Sequence, residues 1–168
     1  MSKIAITSDI HNNEVNLKKV LDYCKVNNIQ TIICCGDMAS KEVLDFMNDN
    51  FSGNILYTFG NADYDDLREL EDEKKYRNTH LFKKFGEAII EKKNVAFTHF
   101  PQEAKGLART EKYNFVFYGH THKPWEVMLG NCKLLNPGTT GGEIYPPTFA
   151  VWETDNDKFN LIRIHDLQ

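Results

Sequence analysis

No apolar run in this chain is longer than a β-strand, and none approaches the roughly 20 residues that a membrane-spanning helix needs. No leader pattern precedes the fold: Met1-Ser2-Lys3 runs straight into a strand pattern, which leaves no room for a signal peptide. Cysteine is sparse, with four in 168 residues (Cys24, Cys34, Cys35, Cys132), and no C-x-x-C spacing offers a metal or redox motif. Cys34 and Cys35 are adjacent in a strand pattern, so they point to opposite faces and are poorly placed to pair. Reduced thiols in a cytoplasmic protein are therefore expected. There is no basic excess either. Lys and Arg total 20 against 24 Asp and Glu, for a net charge of -4, which removes any global attraction to a nucleic-acid polymer or an anionic membrane. No linker or low-complexity segment divides the chain, and its length suits a single domain, 1–168, with a sizeable core.

The pattern that is present alternates strands and helices. Ile4-Ala5-Ile6-Thr7-Ser8 reads as a buried strand, and Val15, Leu17, Val20, Leu21 and Cys24 follow at helical spacing behind a cap at Asn12 or Asn13. Thr31 to Cys35 and Ile55 to Phe59 are further strands, with a short helix between them that begins at Ser40 and buries Val43, Leu44 and Met47. Such alternation implies parallel βαβ units. From residue 79 the rhythm becomes mostly β. His80-Leu81-Phe82, Ala88-Ile89-Ile90 and Val95 to Thr98 are short strands, with turns expected at Gly86 and Lys92-Lys93-Asn94. Pro101 opens a helix. Phe115 to Tyr118, a hairpin across Gly130-Asn131 and a last hairpin across Asp155-Asn156-Asp157 complete the chain. The acidic run Asp63, Asp65, Asp66, Glu69, Glu71, Asp72, Glu73 reads as a solvated face.

Strand ends carry the chemistry. Open α/β sheets bind ligands outside the carboxyl ends of their strands. Here those ends are Asp9-Ile10-His11, Gly36-Asp37, Gly60-Asn61, Thr98-His99 and Gly119-His120-Thr121-His122. Each alone is weak, since Gly-Asp and Gly-Asn usually mark turns and a lone His is usually structural. Together they deliver carboxylate or amide oxygens from three segments and four of the six imidazoles in the chain. His80 and His165 fall outside the pattern and are expected to be structural. No Ser or Cys sits in a comparable nucleophile arrangement.

This order of motifs resembles the calcineurin-like metallophosphoesterase superfamily, and Asn136-Pro137-Gly138-Thr139 with Tyr145 to Val151 is similar to its small single-domain phosphodiesterases. The resemblance implies an α/β fold: a four-layer α-β-β-α sandwich of two facing mixed sheets, with a two-metal site between strand ends. By motif, Asp9, His11, Asp37 and His122 would hold one ion, and Asp37, Asn61, His99 and His120 the other, with Asp37 bridging. Asp37, Asn61 and His120 would bear most directly on catalysis. Imidazole with oxygen suits manganese, with iron, zinc or nickel as substitutes, better than calcium. Two ions about 3.5–4 Å apart can share and acidify a hydroxide and steady a phosphoryl group. The implied activity is hydrolysis of small phosphodiesters.

Two departures from the family pattern stand out. Many relatives have His after Gly-Asn, thought to protonate the leaving group, where this chain has Ala62. Phe100 replaces the Gly that usually follows Thr-His; it either narrows the mouth of the site, stacks on a substrate ring or packs under the next helix. Alternative readings are a phosphomonoesterase or nucleotidase, or a non-catalytic protein-interaction scaffold, as in the retromer subunit that shares this fold. Association into a homo-oligomer is compatible with the sequence.

Overall fold

Strand β1 (Lys3–Thr7) alternates Ile4 and Ile6 with Ala5 and Thr7, so each face of the strand must be covered. The computed structural model, which describes residues 2–63, 76 and 78–167, covers both. Strands β1, β2 (Thr31–Cys34), β3 (Asn54–Thr58) and β4 (Thr79–Phe82) run parallel, and β10 (Thr148–Glu153) and β11 (Lys158–Arg163) add an antiparallel hairpin beside β1, giving the order β11-β10-β1-β2-β3-β4. The second sheet has the order β5-β6-β7-β9-β8, from β5 (Phe85–Ile90), β6 (Lys93–Thr98), β7 (Phe115–Phe117), β8 (Trp125–Leu129) and β9 (Cys132–Asn136). In it β6, β7 and β9 are parallel.

Side-chain alternation sorts the core into layers. Ile4, Ile6, Ile33, Cys35, Phe97, Phe117 and Trp152 meet between the sheets. Ala5, Ile32, Cys34 and Tyr57 face helices α1 (Glu14–Val26) and α2 (Lys41–Asn50). Ala96, Val116 and Leu134 face α3 (Pro101–Arg109). The expected α-β-β-α sandwich of facing mixed sheets is therefore observed. Cys34 and Cys35 do fall on opposite faces, and all four thiols are free and buried.

Several local expectations change. Val15 is 73% exposed because the buried stripe of α1 begins at Leu17. Asn13 caps α1 by accepting from the Asn16 N–H. Ser40 precedes α2, but its hydroxyl donates to Asn12 instead of capping. β4 returns to the first sheet rather than starting the second. The β5–β6 turn is Glu91-Lys92, both at positive φ (46° and 66°), the two-residue form that matches strand twist. Gly86 lies inside β5, paired with Phe97; a Cβ there would stand 2.0 Å from the Phe97 ring. The inter-sheet core thus leans on the missing side chain. Gly86→Val is expected to destabilise the protein by about 1–3 kcal/mol, through overpacking, as a lowered denaturation midpoint with an unchanged denaturant slope.

Candidate metal centre

Six of the seven strands in parallel pairs, all but β4, end at one place. β1 leads to Asp9 and His11, β2 to Asp37, β3 to Asn61, β6 to His99, β7 to His120 and His122, and β9 to the turn beginning at Pro137. The loops are knitted together by their backbones. Asp9 N–H donates to the Gly36 carbonyl (3.0 Å), the Ile10 and His11 N–H groups to Asp37 (2.8 and 3.0 Å), Gly119 to His99 (3.1 Å) and Gly141 to Asp9 (2.8 Å). This knitting fixes an unusual geometry: Asp9, His11, Asp37, His120 and His122 all have φ between 47° and 70°. Left-handed backbone at a residue with a Cβ costs about 1–3 kcal/mol and persists only where its surroundings impose it.

The seven sequence-predicted residues converge. The ligating atoms of Asp9, His11 and His122 lie within 4.8 Å of one another, and so do those of Asp9, Asp37 and His99. His122 Nε2 is 3.2 Å from Asp9 Oδ1, and His99 Nε2 is 3.3 Å from Asp37 Oδ2. His11 Nε2 sits 3.8 Å from both carboxylates and 3.2 Å from His122 Nε2. Asn61 Oδ1 stands 2.8 Å from His120 Nδ1 and 3.0 Å from His99 Nε2. His80 and His165 are exposed and take no part.

The donor chemistry fits bound cations. His99 Nδ1 lies 2.8 Å from the Cys35 carbonyl, a contact that places the proton on Nδ1 and leaves Nε2 as a bare lone pair. That lone pair faces an amide oxygen and another imidazole nitrogen 3.2 Å away. Acceptor facing acceptor is satisfied only by a proton or a metal between them. His11 Nε2 and His122 Nε2 also face each other, at 3.2 Å.

Charge is managed locally. Burial works to raise the Asp9 carboxyl, but hydrogen bonds from His11 and His122 outweigh it and hold it well below the ordinary value of 3.8. Its partner Asp9 holds His11 above 6.5 against burial, helped by Glu143 and Asp37. Burial lowers His99, yet the Asp37 carboxylate carries it above 6.5. Protons and cations thus compete for the same lone pairs.

Two neighbours behave differently from expectation. Asp63 is not on a solvated face: it is 4% exposed, and its carboxylate accepts N–H groups of Gly60 (2.6 Å), Ala39 (2.9 Å) and Asp37 (3.2 Å). The rest of the acidic run lies outside the described residues. Phe100 packs edge-on against the rings of His99 and His120, at 4.9 and 5.2 Å, so it buttresses two candidate ligands. Ala62 offers only its N–H, 2.7 Å from Asp37 Oδ1. Sequence reasoning missed Glu143, whose Oε2 is 3.9 Å from His11 Nε2; it sits in a glycine-rich turn with no motif to mark it.

The calcineurin-like phosphoesterase superfamily domain matches residues 2–157. The chain belongs to that superfamily, a class of metal-dependent phosphoric ester hydrolases. It is 27% identical over 163 residues to a phosphodiesterase of Methanocaldococcus jannaschii, covering 95% of this chain and 98% of the relative. A solved structure of an archaeal phosphodiesterase superposes with a TM-score of 0.87 at 27% identity, over 96% of this chain and 99% of that one. The YfcE phosphoesterase of E. coli (TM-score 0.69, 17% identity, 96% and 99% coverage) and vacuolar protein sorting 29 of Cryptosporidium parvum (TM-score 0.69, 17% identity, 96% and 95% coverage) share the fold. Among the described residues no helix is long and apolar enough to cross a membrane.

Asp63 holds together the loops that carry Asp37 and Asn61. Asp63→Ala leaves three buried N–H groups without that acceptor. A loss of about 2–4 kcal/mol is expected by chemical denaturation, together with weaker metal binding by calorimetry, whereas Asp63→Asn loses less.

Proposed function

We propose that the chain is a two-metal phosphodiesterase acting on small phosphodiesters, built as one domain over residues 1–168. Asp9, His11, Asp37 and His122 hold one ion; Asp37, Asn61, His99 and His120 hold the other, with Asp37 shared. The observation that carries this reading is the convergence of His99 Nε2, His120 Nδ1 and Asn61 Oδ1, 2.8 to 3.2 Å apart, beside the Asp37 carboxylate. Donor chemistry favours manganese, with iron, zinc or nickel as substitutes, and the free buried thiols suit a reducing cytoplasm. When bound, two such ions supply an acidified water for attack on phosphorus and positive charge against the phosphoryl oxygens.

The residues do the rest. Asp37 Oδ2 lies between the two sets, 3.8 Å from His11 Nε2 and 3.3 Å from His99 Nε2, while Oδ1 is fixed by the Ala62 N–H. Cys35 orients His99, and Phe100 braces His99 and His120. Asn61 and His120 are the solvent-exposed members of the set, on the side open to an arriving substrate. The protein-interaction reading would draw on β8, an edge strand with Trp125, Val127 and Met128 about half exposed. The complete ligand set favours catalysis over that role. A homo-oligomer is compatible with catalysis at this site.

Chelation is expected to abolish hydrolysis of bis(p-nitrophenyl) phosphate, and manganese to restore it better than calcium. Asp37→Asn is expected to lose nearly all turnover while metal-free melting stays close to wild type. Full activity after verified metal removal would end the two-metal reading.

Ala62 leads to a second test. Neither Ala62 nor Asp63, whose carboxylate is engaged by backbone N–H groups, is placed to protonate a departing alkoxide, so the general-acid factor of about 10²–10⁴ that a His at position 62 would supply is expected to be absent. Rates at fixed manganese are expected to fall steeply with rising leaving-group pKa, aryl diesters far exceeding alkyl ones. A flat series with chemistry rate-limiting would show that another acid is present.

A further inference from the structure

We propose that Glu143 selects the charge of the substrate: its carboxylate disfavours phosphomonoester dianions and leaves phosphodiester monoanions as the preferred class. This rests on the phosphodiesterase reading above and adds a residue that neither the motifs nor the ligand set includes.

Position comes first. Glu143 Oε2 is 3.9 Å from His11 Nε2, while the side chain remains 54% exposed. It therefore borders the ligand cluster and still faces the solvent from which substrate arrives. The turn that carries it is held on the ligand loop itself. Thr140 and Gly141 N–H groups donate to the carbonyls of Ser8 (2.9 Å) and Asp9 (2.8 Å), and the Thr139 hydroxyl donates to Asp9 (2.9 Å). From α1, Asn13 Nδ2 donates to the Gly141 carbonyl (2.8 Å) and Asn16 Nδ2 to that of Thr140 (2.9 Å). Gly141 permits the approach, since a Cβ there would stand 2.9 Å from the Ile10 carbonyl oxygen. Glu143 thus follows directly on a segment fixed to the same residues that position His11.

Charge comes second. Among the described residues no Lys or Arg forms an ion pair with Asp9, Asp37 or Glu143; their only ion-pair partners are imidazoles. With two divalent ions the two buried carboxylates leave the cluster at about +2, and Glu143 reduces the local sum to about +1. A phosphodiester carries one negative charge. A phosphomonoester carries close to two above its second pKa of about 6. The ions attract that extra charge, and Glu143 subtracts from the attraction. One unit charge about 8 Å away is worth roughly twofold in a water-like dielectric and roughly thirtyfold at an effective dielectric of 20. Tenfold is the working expectation, and salt should shrink it.

The test compares manganese-loaded wild type, Glu143→Gln, Glu143→Asp and the remote control Glu111→Gln. kcat/KM is measured for bis(p-nitrophenyl) phosphate and p-nitrophenyl phosphate at pH 8 and two ionic strengths. Calorimetry measures binding of manganese alone, then of inorganic phosphate and of dimethyl phosphate to the loaded protein. In Glu143→Gln the monoester-to-diester ratio should rise about tenfold, less at high salt, and phosphate should gain on dimethyl phosphate in binding. Glu143→Asp and Glu111→Gln should keep the wild-type preference. An unchanged ratio in Glu143→Gln, a parallel fall for both esters, or a ratio change equalled by Glu111→Gln would overturn the proposal. So would the loss of a manganese equivalent from the binding stoichiometry, which would make Glu143 a ligand; a modest loss of affinity is the same charge effect and is expected. If wild type hydrolyses neither ester, the phosphodiesterase reading fails, and the phosphate-to-dimethyl phosphate comparison still decides the role of Glu143.

Discussion

Two buried carboxylates facing imidazoles from the opposite sheet are the contact on which the rest of this structure depends. Asp9 and Asp37 come from the first sheet and are almost wholly buried. His99 and His122, their closest imidazole partners, come from the second. An unpaired carboxylate cannot stay ionised in such a place without a large penalty. The imidazoles, and the His120 N–H that reaches Asp9 at 3.1 Å, make that burial tolerable. The same contacts join the two sheets at their carboxyl ends, while Trp152, Phe115 and Phe117 fill the space behind. Packing and chemistry therefore meet at one line of residues.

Backbone strain is distributed along that line. Five candidate ligands sit at positive φ, and the loops that carry them bond to one another in preference to solvent. Strain held by cross-loop hydrogen bonds keeps the donors in register before any ligand arrives. Preorganisation of this kind lets binding energy go to the ligand and not to loop ordering.

Much of this was legible in the sequence because the motifs lie at strand ends, where topology leaves little freedom. Asp9-Ile10-His11 had to emerge from β1 whatever the rest of the chain did. Alternation in Ile4-Ala5-Ile6 revealed burial on both faces, and the motif order revealed the family. What stayed hidden depended on tertiary neighbours. Gly86 looked like a turn residue, since its reason for being glycine is a ring on the adjacent strand. Asp63 looked solvated because its acceptor role is met by N–H groups 26 and 24 residues earlier in the chain. β4 has the composition of the later strands, and only its parallel partner β3 assigns it to the first sheet. Glu143 had no periodicity or motif around it, and its relevance rests on hydrogen bonds made by the turn before it.

The floor beneath the donors is made of backbone. A Cβ at Gly60 would stand 2.1 Å from Asp37 Oδ1, and one at Gly119 would stand 1.9 Å from Ser8 Oγ and 2.8 Å from Asp9 Oδ2. No side chain can grow there without displacing a carboxylate. The rim is built otherwise: Ala62 and Glu143 are side chains that can lengthen, shrink or change sign with the floor untouched. Descendants of such a protein can therefore explore new substrates by single substitutions around the opening, while the chemistry underneath is inherited unchanged or lost outright.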